Sequence, residues 1–179
     1  NLQTTVKTAE QFGLDLVTFH AGFVPHDPKD PTLAKLLDRV GRVARLFAAA
    51  GVTLAFETGQ ESGPALKAFL EQLGEPSVAV NFDPANMILY RSGDPLEALR
   101  LVGPWVRGCH LKDAVAAKVY GTWGNEVPVG TGQVDWPDLF RTMLAIDFPG
   151  WFCFERESGD RRVEDIAAGR LFVERLLRA

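Results

Sequence analysis

The sequence predicts an α/β protein in which a parallel sheet is covered by helices. After an opening helix, five short apolar runs alternate with five segments of helical pattern. The runs are nearly continuous in apolar residues, which is typical of strands buried on both faces. A chain of 179 residues with 46% hydrophobic residues can bury one substantial core. We therefore expect a single domain over residues 1–179.

The helices are predicted from apolar residues that recur at helical spacing and from the residues that begin or end each segment. Glycine closes several of them, and a proline behind an N-cap residue opens others. In chain order, the predicted helices cover residues 2–12, 33–51, 64–74, 94–102, 135–146 and 163–177.

The strands are predicted from the apolar runs that lie between these helices. They cover residues 14–19, 54–56, 78–82, 106–109 and 151–154. Residues 112–134 show no periodicity, and we predict a long loop there. Loops of this length inside compact domains are often functional.

Four of the five runs end on a residue that can bind a metal: Glu57, Asp83, His110 and Glu155. A carboxylate at the tip of a buried strand is costly to desolvate unless something pairs with it. Singly, such an acid is more often a loop anchor or a helix cap, and such a histidine is usually structural. The prediction of a metal site therefore depends on the coincidence of all four. One imidazole and three carboxylates suit Mn²⁺ or Mg²⁺, with Co²⁺ or Zn²⁺ as alternatives.

The place of these residues favours a (β/α)8 barrel over a doubly wound sheet. No glycine-rich turn follows the first strand, and no Walker-type phosphate loop is present. A barrel carries its active site at the C-terminal ends of its strands, where the four residues fall. Because a complete barrel takes about 250 residues, we expect only its C-terminal five βα units here, strands 4 to 8.

The composition argues against nucleic acid and membranes as partners. The net charge of −4 comes without a basic cluster, which argues against a nucleic-acid surface. No apolar stretch has the length of a membrane span. Cys109 and Cys153 both fall in predicted buried strands, where we expect reduced, small core residues. The expected location is the cytoplasm.

Six motifs resemble those of xylose-isomerase-like barrels in the sugar phosphate isomerase/epimerase group, which includes ketose 3-epimerases and myo-inosose dehydratases. They run in the family's order through almost the whole chain. They are Thr18-Phe19-His20-Ala21-Gly22, Leu54-Ala55-Phe56-Glu57-Thr58-Gly59, Asn81-Phe82-Asp83-Pro84-Ala85-Asn86, His110-Leu111-Lys112-Asp113, Gly130-Thr131-Gly132-Gln133-Val134-Asp135-Trp136 and Phe154-Glu155.

The resemblance implies a metal-dependent isomerase or epimerase that acts on a sugar or sugar phosphate. Glu57, Asp83, His110 and Glu155 would bind the metal, and the two glutamates would also move the proton. One would remove it from the carbon next to the carbonyl, giving a cis-enediolate, and the other would return a proton to the opposite face.

Further residues are candidates for substrate binding, each with a plainer alternative. His20 could face substrate or fill the barrel mouth, and Lys112 could instead pair with Asp113 or Glu157. Glu61 could instead cap the following helix. Trp123 and Tyr120 could pack the long loop against the protein and have no role in binding. Asn86 stands where the ketose epimerases carry a substrate-binding histidine. The five candidates are His20, Glu61, Asn86, Lys112 and Trp123.

Three other functions are open. A dehydratase on the same scaffold would expel hydroxide from the enediolate instead of reprotonating it. A non-catalytic barrel fragment would need a partner, such as a second copy or a missing N-terminal segment. An apurinic-site endonuclease would need a multi-zinc cluster with more histidines than the three in this chain, so we rank it low.

Overall fold

The computed structural model describes residues 1–22, 24–25, 27, 29–119 and 121–178. The helices are α1 (Leu2–Phe12), α2 (Pro31–Ala48), α3 (Gly63–Leu73), α4 (Pro84–Tyr90), α5 (Pro95–Val102), α6 (Trp136–Ala145) and α7 (Arg162–Leu176). The strands are β1 (Leu16–Phe19), β2 (Thr53–Glu57), β3 (Val78–Phe82), β4 (Val106–Leu111), β5 (Asp113–Val115), β6 (Asn125–Val127) and β7 (Trp151–Phe154). A single 3₁₀ turn, Gly103–Trp105, joins α5 to β4.

Five strands form one parallel sheet in the order β1-β2-β3-β4-β7. Each strand pairs in parallel with the next large strand along the chain. This unreversed order is that of a barrel wall, whereas a doubly wound sheet reverses at a switch point. The α/β prediction is thus confirmed, and the sheet is a half-barrel.

The strand register places one row of residues at the same height across the sheet. Glu57 pairs with Asn81, Asn81 with Gly108, and Gly108 with Trp151. A Cβ at Gly108 would lie 2.6 Å from Oδ1 of Asn81 and 2.9 Å from the Trp151 ring. Gly108 therefore leaves the space that these two side chains occupy.

The apolar core lies between the sheet and its helices. It includes Leu54, Phe69, Val80, Leu99 and Leu139, each at most 2% exposed. In helices α2, α4, α5 and α6, the N-cap residue is an aspartate whose side chain accepts a backbone N–H, and a proline stands in the first turn. Each such cap stabilises its helix by about 0.5–2 kcal/mol. They fix the residue at which each of these helices begins.

Strand β7 is less buried than its sequence predicts. Trp151 is 41% and Phe152 40% exposed, and Cys153 is an exposed thiol, whereas Cys109 in β4 is buried. The prediction of burial is therefore wrong for Cys153. The physical reason is position, because β7 is an edge strand of the half-barrel and has, among the described residues, a neighbouring strand on one side and none on the other.

Helix α4 and the strands β5 and β6 were not predicted. Helix α4 starts directly after β3, and β5 and β6 form an antiparallel ribbon inside the segment 112–134. The loop prediction is wrong for these ribbon residues, because strands of three residues are too short to show a period. Within the described residues, no helix combines the length and the apolar character of a membrane span.

Candidate metal centre

The four strand-end residues converge on one point. Glu57 ends β2, Asp83 follows β3, His110 lies in β4 and Glu155 follows β7. One ligand atom from each lies within 4.8 Å of all the others. Nδ1 of His110 is 3.4 Å from Oε1 of Glu57, 3.5 Å from Oδ2 of Asp83 and 3.2 Å from Oε2 of Glu155. Three carboxylate oxygens thus surround one imidazole nitrogen.

Two of these atoms are buried without a hydrogen-bond partner among the described residues: Oδ2 of Asp83 and Nδ1 of His110. Asp83 is 0% exposed, and its other oxygen accepts the backbone N–H of Asn86 at 2.9 Å. A buried carboxylate oxygen without a donor is costly. Its position, together with a set of three carboxylates and one imidazole, fits a hard divalent cation.

The charges in the cluster shift the pKa values of its members. Burial opposes the charge on His110, but Asp83, Glu155 and Glu57 raise its pKa to about 12. His110, and then Lys112, lower the pKa of Glu155 to about 2 against the effect of burial. Burial raises the pKa of Asp83, although His110 and Lys112 oppose this. Without a cation, the three carboxylates therefore favour the protonated form of the His110 imidazole.

Lys112 lies beside the cluster and is only 1% exposed. Its ammonium donates to Oε2 of Glu155 at 2.9 Å and to Oε2 of Glu157 at 2.5 Å. It is also 3.7 Å from Oδ2 of Asp83. Of the two ion pairs weighed for Lys112, the one with Glu157 is present.

Asn86 is the third side chain of the first turn of α4, and it is 3% exposed. Its amide nitrogen donates to Oε1 of Glu57 at 3.2 Å and to the backbone oxygen of Thr58 at 3.2 Å. Its amide oxygen accepts from Lys112 at 3.2 Å. Asn86 therefore contacts Glu57 of the cluster while its other hydrogen bonds are made to buried protein groups.

The remaining candidates lie around a small cavity or on the surface. The side chain of His20 is 62% exposed, with Nε2 3.7 Å from Oε1 of Glu57. His20 and the buried Glu61 line a cavity of about 160 Å³ beside Glu57. Ser62, not Glu61, caps α3. Trp123 is 72% exposed and packs edge-on against Tyr90, and Tyr120 lies outside the described residues.

Sequence reasoning missed Asn81 and Thr58. The amide nitrogen of Asn81 is 2.9 Å from Nε2 of His110, and the Thr58 hydroxyl accepts the backbone N–H of Asp83 at 2.7 Å. Both side chains are at most 2% exposed. A polar residue inside the otherwise apolar run 78–82 was the available signal for Asn81.

Comparison with known proteins gave one family match. A family model described as the xylose isomerase-like TIM barrel matches residues 1–176. The search of curated proteins produced no match. Among solved structures, a xylose isomerase domain protein from Planctomyces limnophilus matches with a TM-score of 0.90 and 35% identity. The match covers 98% of this chain and 62% of that protein, so the chain spans less than two thirds of its relative.

More distant structures also match. A magnesium complex of a xylose isomerase-like TIM barrel protein from Mycobacterium smegmatis has a TM-score of 0.77 at 19% identity, over 98% of this chain and 65% of that one. A probable 3-DHS dehydratase from Bacillus anthracis has a TM-score of 0.77 at 17% identity, over 96% of this chain and 68% of that one. An L-ribulose 3-epimerase has a TM-score of 0.72 at 20% identity, over 99% of this chain and 67% of that one. At these identities, the likeness shows the fold alone.

Proposed function

This chain belongs to the xylose isomerase-like TIM barrel family, and from that premise we propose that it is a divalent-metal-dependent isomerase or epimerase of sugars or sugar phosphates. The observation that carries the proposal is the convergence of three carboxylates on Nδ1 of His110, with Oδ2 of Asp83 left without a donor. Mn²⁺ or Mg²⁺ is the proposed cation, with Co²⁺ or Zn²⁺ as alternatives. A magnesium complex of a barrel with the same fold supports this choice.

Asp83 and His110 would mainly hold the cation, while Glu57 and Glu155 would hold it and also move a proton. When bound, the cation would stabilise negative charge on the substrate's carbonyl and neighbouring hydroxyl oxygens. One glutamate would take the proton from the carbon next to the carbonyl, leaving a cis-enediolate. The other would return a proton to the opposite face. The cavity beside Glu57, lined by His20 and Glu61, would receive part of the sugar.

A dehydratase is the second candidate, because a probable 3-DHS dehydratase shares the fold. The proton abstraction would be the same, but the enediolate would then lose hydroxide instead of gaining a proton. Mass spectrometry of the product separates the two reactions, since only dehydration changes the mass by one water.

As part of the same proposal, the sheet edges at β1 and β7 would be covered by a second copy of this chain or by a further segment of polypeptide.

The metal content of the purified protein tests the ligand assignment. We expect one divalent cation per chain in the wild type and none in Asp83→Asn/His110→Ala, because that variant removes both candidate ligand atoms that lack a hydrogen-bond partner. The matched control is Asp138→Asn on α6, which removes a half-buried carboxylate that pairs with the exposed Arg141. A double variant that keeps stoichiometric Mn²⁺ would show the ligand assignment to be wrong.

Solvent deuterium tests the reaction. With a panel of ketoses and their phosphates, turnover in D₂O should place deuterium on the carbon next to the carbonyl. The variants Glu57→Gln and Glu155→Gln should each lose turnover by at least about 100-fold, since general acid–base catalysis contributes about 10²–10⁴-fold. Turnover without deuterium incorporation would exclude proton transfer and favour a hydride shift.

A further inference from the structure

The amide of Asn86 joins Glu57 to Lys112, and its surroundings fix its orientation. Its nitrogen faces two acceptors, the Glu57 carboxylate and the Thr58 backbone oxygen, each at 3.2 Å. Its oxygen faces the Lys112 ammonium, which can only donate. Both N–H donors of the amide are therefore used inside the protein.

Lys112 is saturated in the same way. An ammonium has three N–H donors. Lys112 uses them on Asn86 at 3.2 Å, Glu155 at 2.9 Å and Glu157 at 2.5 Å. At 1% exposure, this side chain has no donor left for a substrate.

These contacts form one continuous bridge. Three hydrogen bonds run from Glu57 to Asn86, from Asn86 to Lys112 and from Lys112 to Glu155. The bridge links the two glutamates that also meet at Nδ1 of His110. A substrate oxygen could accept a hydrogen bond from Asn86 only by breaking one of the bonds that its amide nitrogen donates, and the residue is 3% exposed.

We propose that Asn86 is a positioning residue which, through Lys112, holds Glu57 and Glu155 in place around the cation, and that it does not contact substrate. The inference rests on the proposed function, because it assigns the two glutamates to one cation. It differs from the substrate contact that the family resemblance implies for this position.

The test is a Mn²⁺ titration of the wild type and of Asn86→Leu, followed by calorimetry. Leucine has the same number and branching of side-chain heavy atoms as asparagine and carries no charge, so it removes the bridge without changing the charge of the centre. We expect Mn²⁺ affinity to fall by about 10–100-fold, the usual cost of losing a group that orients a metal ligand. Asn125→Leu, at an exposed asparagine of β6, is the matched control and should bind as the wild type does.

The outcomes separate this inference from the proposed function. A wild type that binds no Mn²⁺ overturns both. A wild type that binds, with an Asn86→Leu variant within about twofold of it, overturns only the positioning role. Asn86→Ala repeats the titration without added bulk if the leucine lowers the melting temperature.

Kinetics give a second readout with any ketose that the wild type converts. A positioning role lowers kcat and leaves KM within about threefold, because the groups it orients act in the transition state. A raised KM with unchanged Mn²⁺ affinity would instead assign Asn86 to the substrate and overturn the inference.

Discussion

Asp83 and Asp113 are two buried aspartates that differ in how many hydrogen bonds their carboxylates accept. Asp83 follows β3 and is 0% exposed, and Asp113 begins β5 and is 1% exposed. Among the described residues, the Asp113 carboxylate accepts five N–H groups at 2.9 to 3.1 Å. The Asp83 side chain accepts one, on Oδ1, and its Oδ2 accepts none.

The difference separates a structural anchor from a candidate metal ligand. Asp113 gathers the backbone N–H groups of residues 130, 132 and 134 and the indole of Trp136, so it fixes the turn before α6. A Cβ at Gly132 would come within 2.1 Å of this carboxylate, which explains the glycine. Asp83 instead leaves one oxygen facing His110. A buried carboxylate is thus classified by its donors and not by its burial alone.

The largest expected effect is the loss of stability in Asp113→Asn. Oδ1 accepts two N–H groups and Oδ2 accepts three, so either orientation of an amide sets its NH₂ group against at least two donors. We expect a loss of about 3 kcal/mol, since each unsatisfied buried group costs about 1–3 kcal/mol. Urea unfolding measures it. Mn²⁺ affinity should remain near that of the wild type.

The matched variant Asp83→Asn should show the reverse. Its amide oxygen can still accept from Asn86, and no donor to Oδ2 is lost. Because the pKa of Asp83 is raised, folding disfavours its ionised form, so the neutral amide should cost less stability than Asp113→Asn does. Mn²⁺ affinity should fall by at least about 100-fold, more than for a group that only orients a ligand. Equal effects in both variants would erase the distinction between the two aspartates.

The sequence predicts Asp83 better than Asp113 for a physical reason. Asp83 ends an apolar run, and the strand pattern alone places it beside the other strand ends. The role of Asp113 depends on a turn about twenty residues away folding back onto it. Such a return has no local period. Helix α4 was also missed. It has only seven residues, and its N-cap residue, Asp83, was interpreted as a metal ligand.

The two aspartates should also differ in their response to pH, since a histidine lies beside Asp83 and none donates to Asp113 among the described residues. The pKa of His110 is raised to about 12 from its ordinary 6.5, so its contribution to the stability of the cation-free protein is full below pH 6.5 and is lost as pH rises towards 12. The pKa of Glu155 is lowered to about 2 from 4.5, so its contribution is present above pH 4.5 and is lost as pH falls towards 2.

Cation binding at Nδ1 must therefore displace a proton at neutral pH. We expect Mn²⁺ affinity to rise about tenfold per pH unit between about pH 6.5 and 9. Calorimetry in buffers of different ionisation enthalpy should detect about one proton released per cation. Asp113→Asn should keep this slope, and His110→Ala should flatten it. A wild-type slope near zero would mean that His110 does not bind through the protonated nitrogen.

The smallest effect is expected at Asn81, whose amide oxygen is also buried without a partner among the described residues. If Nδ1 of His110 binds a cation, Nε2 must carry the hydrogen and donate it. The Asn81 amide nitrogen now lies 2.9 Å from Nε2, and a half-turn of the amide would present its oxygen instead. That exchange satisfies the unpaired oxygen and fixes the ring for binding.

Asn81→Leu should then weaken Mn²⁺ binding by about tenfold, the lower end of the range for groups that orient a ligand. Asn81→Asp, which keeps an acceptor, should bind at least as tightly as the wild type. Nitrogen-15 NMR of the loaded wild type should show hydrogen on Nε2 of His110. Hydrogen on Nδ1 in the loaded protein would reverse the assignment, and would make the Asp83 centre resemble Asp113, a carboxylate satisfied by protein donors.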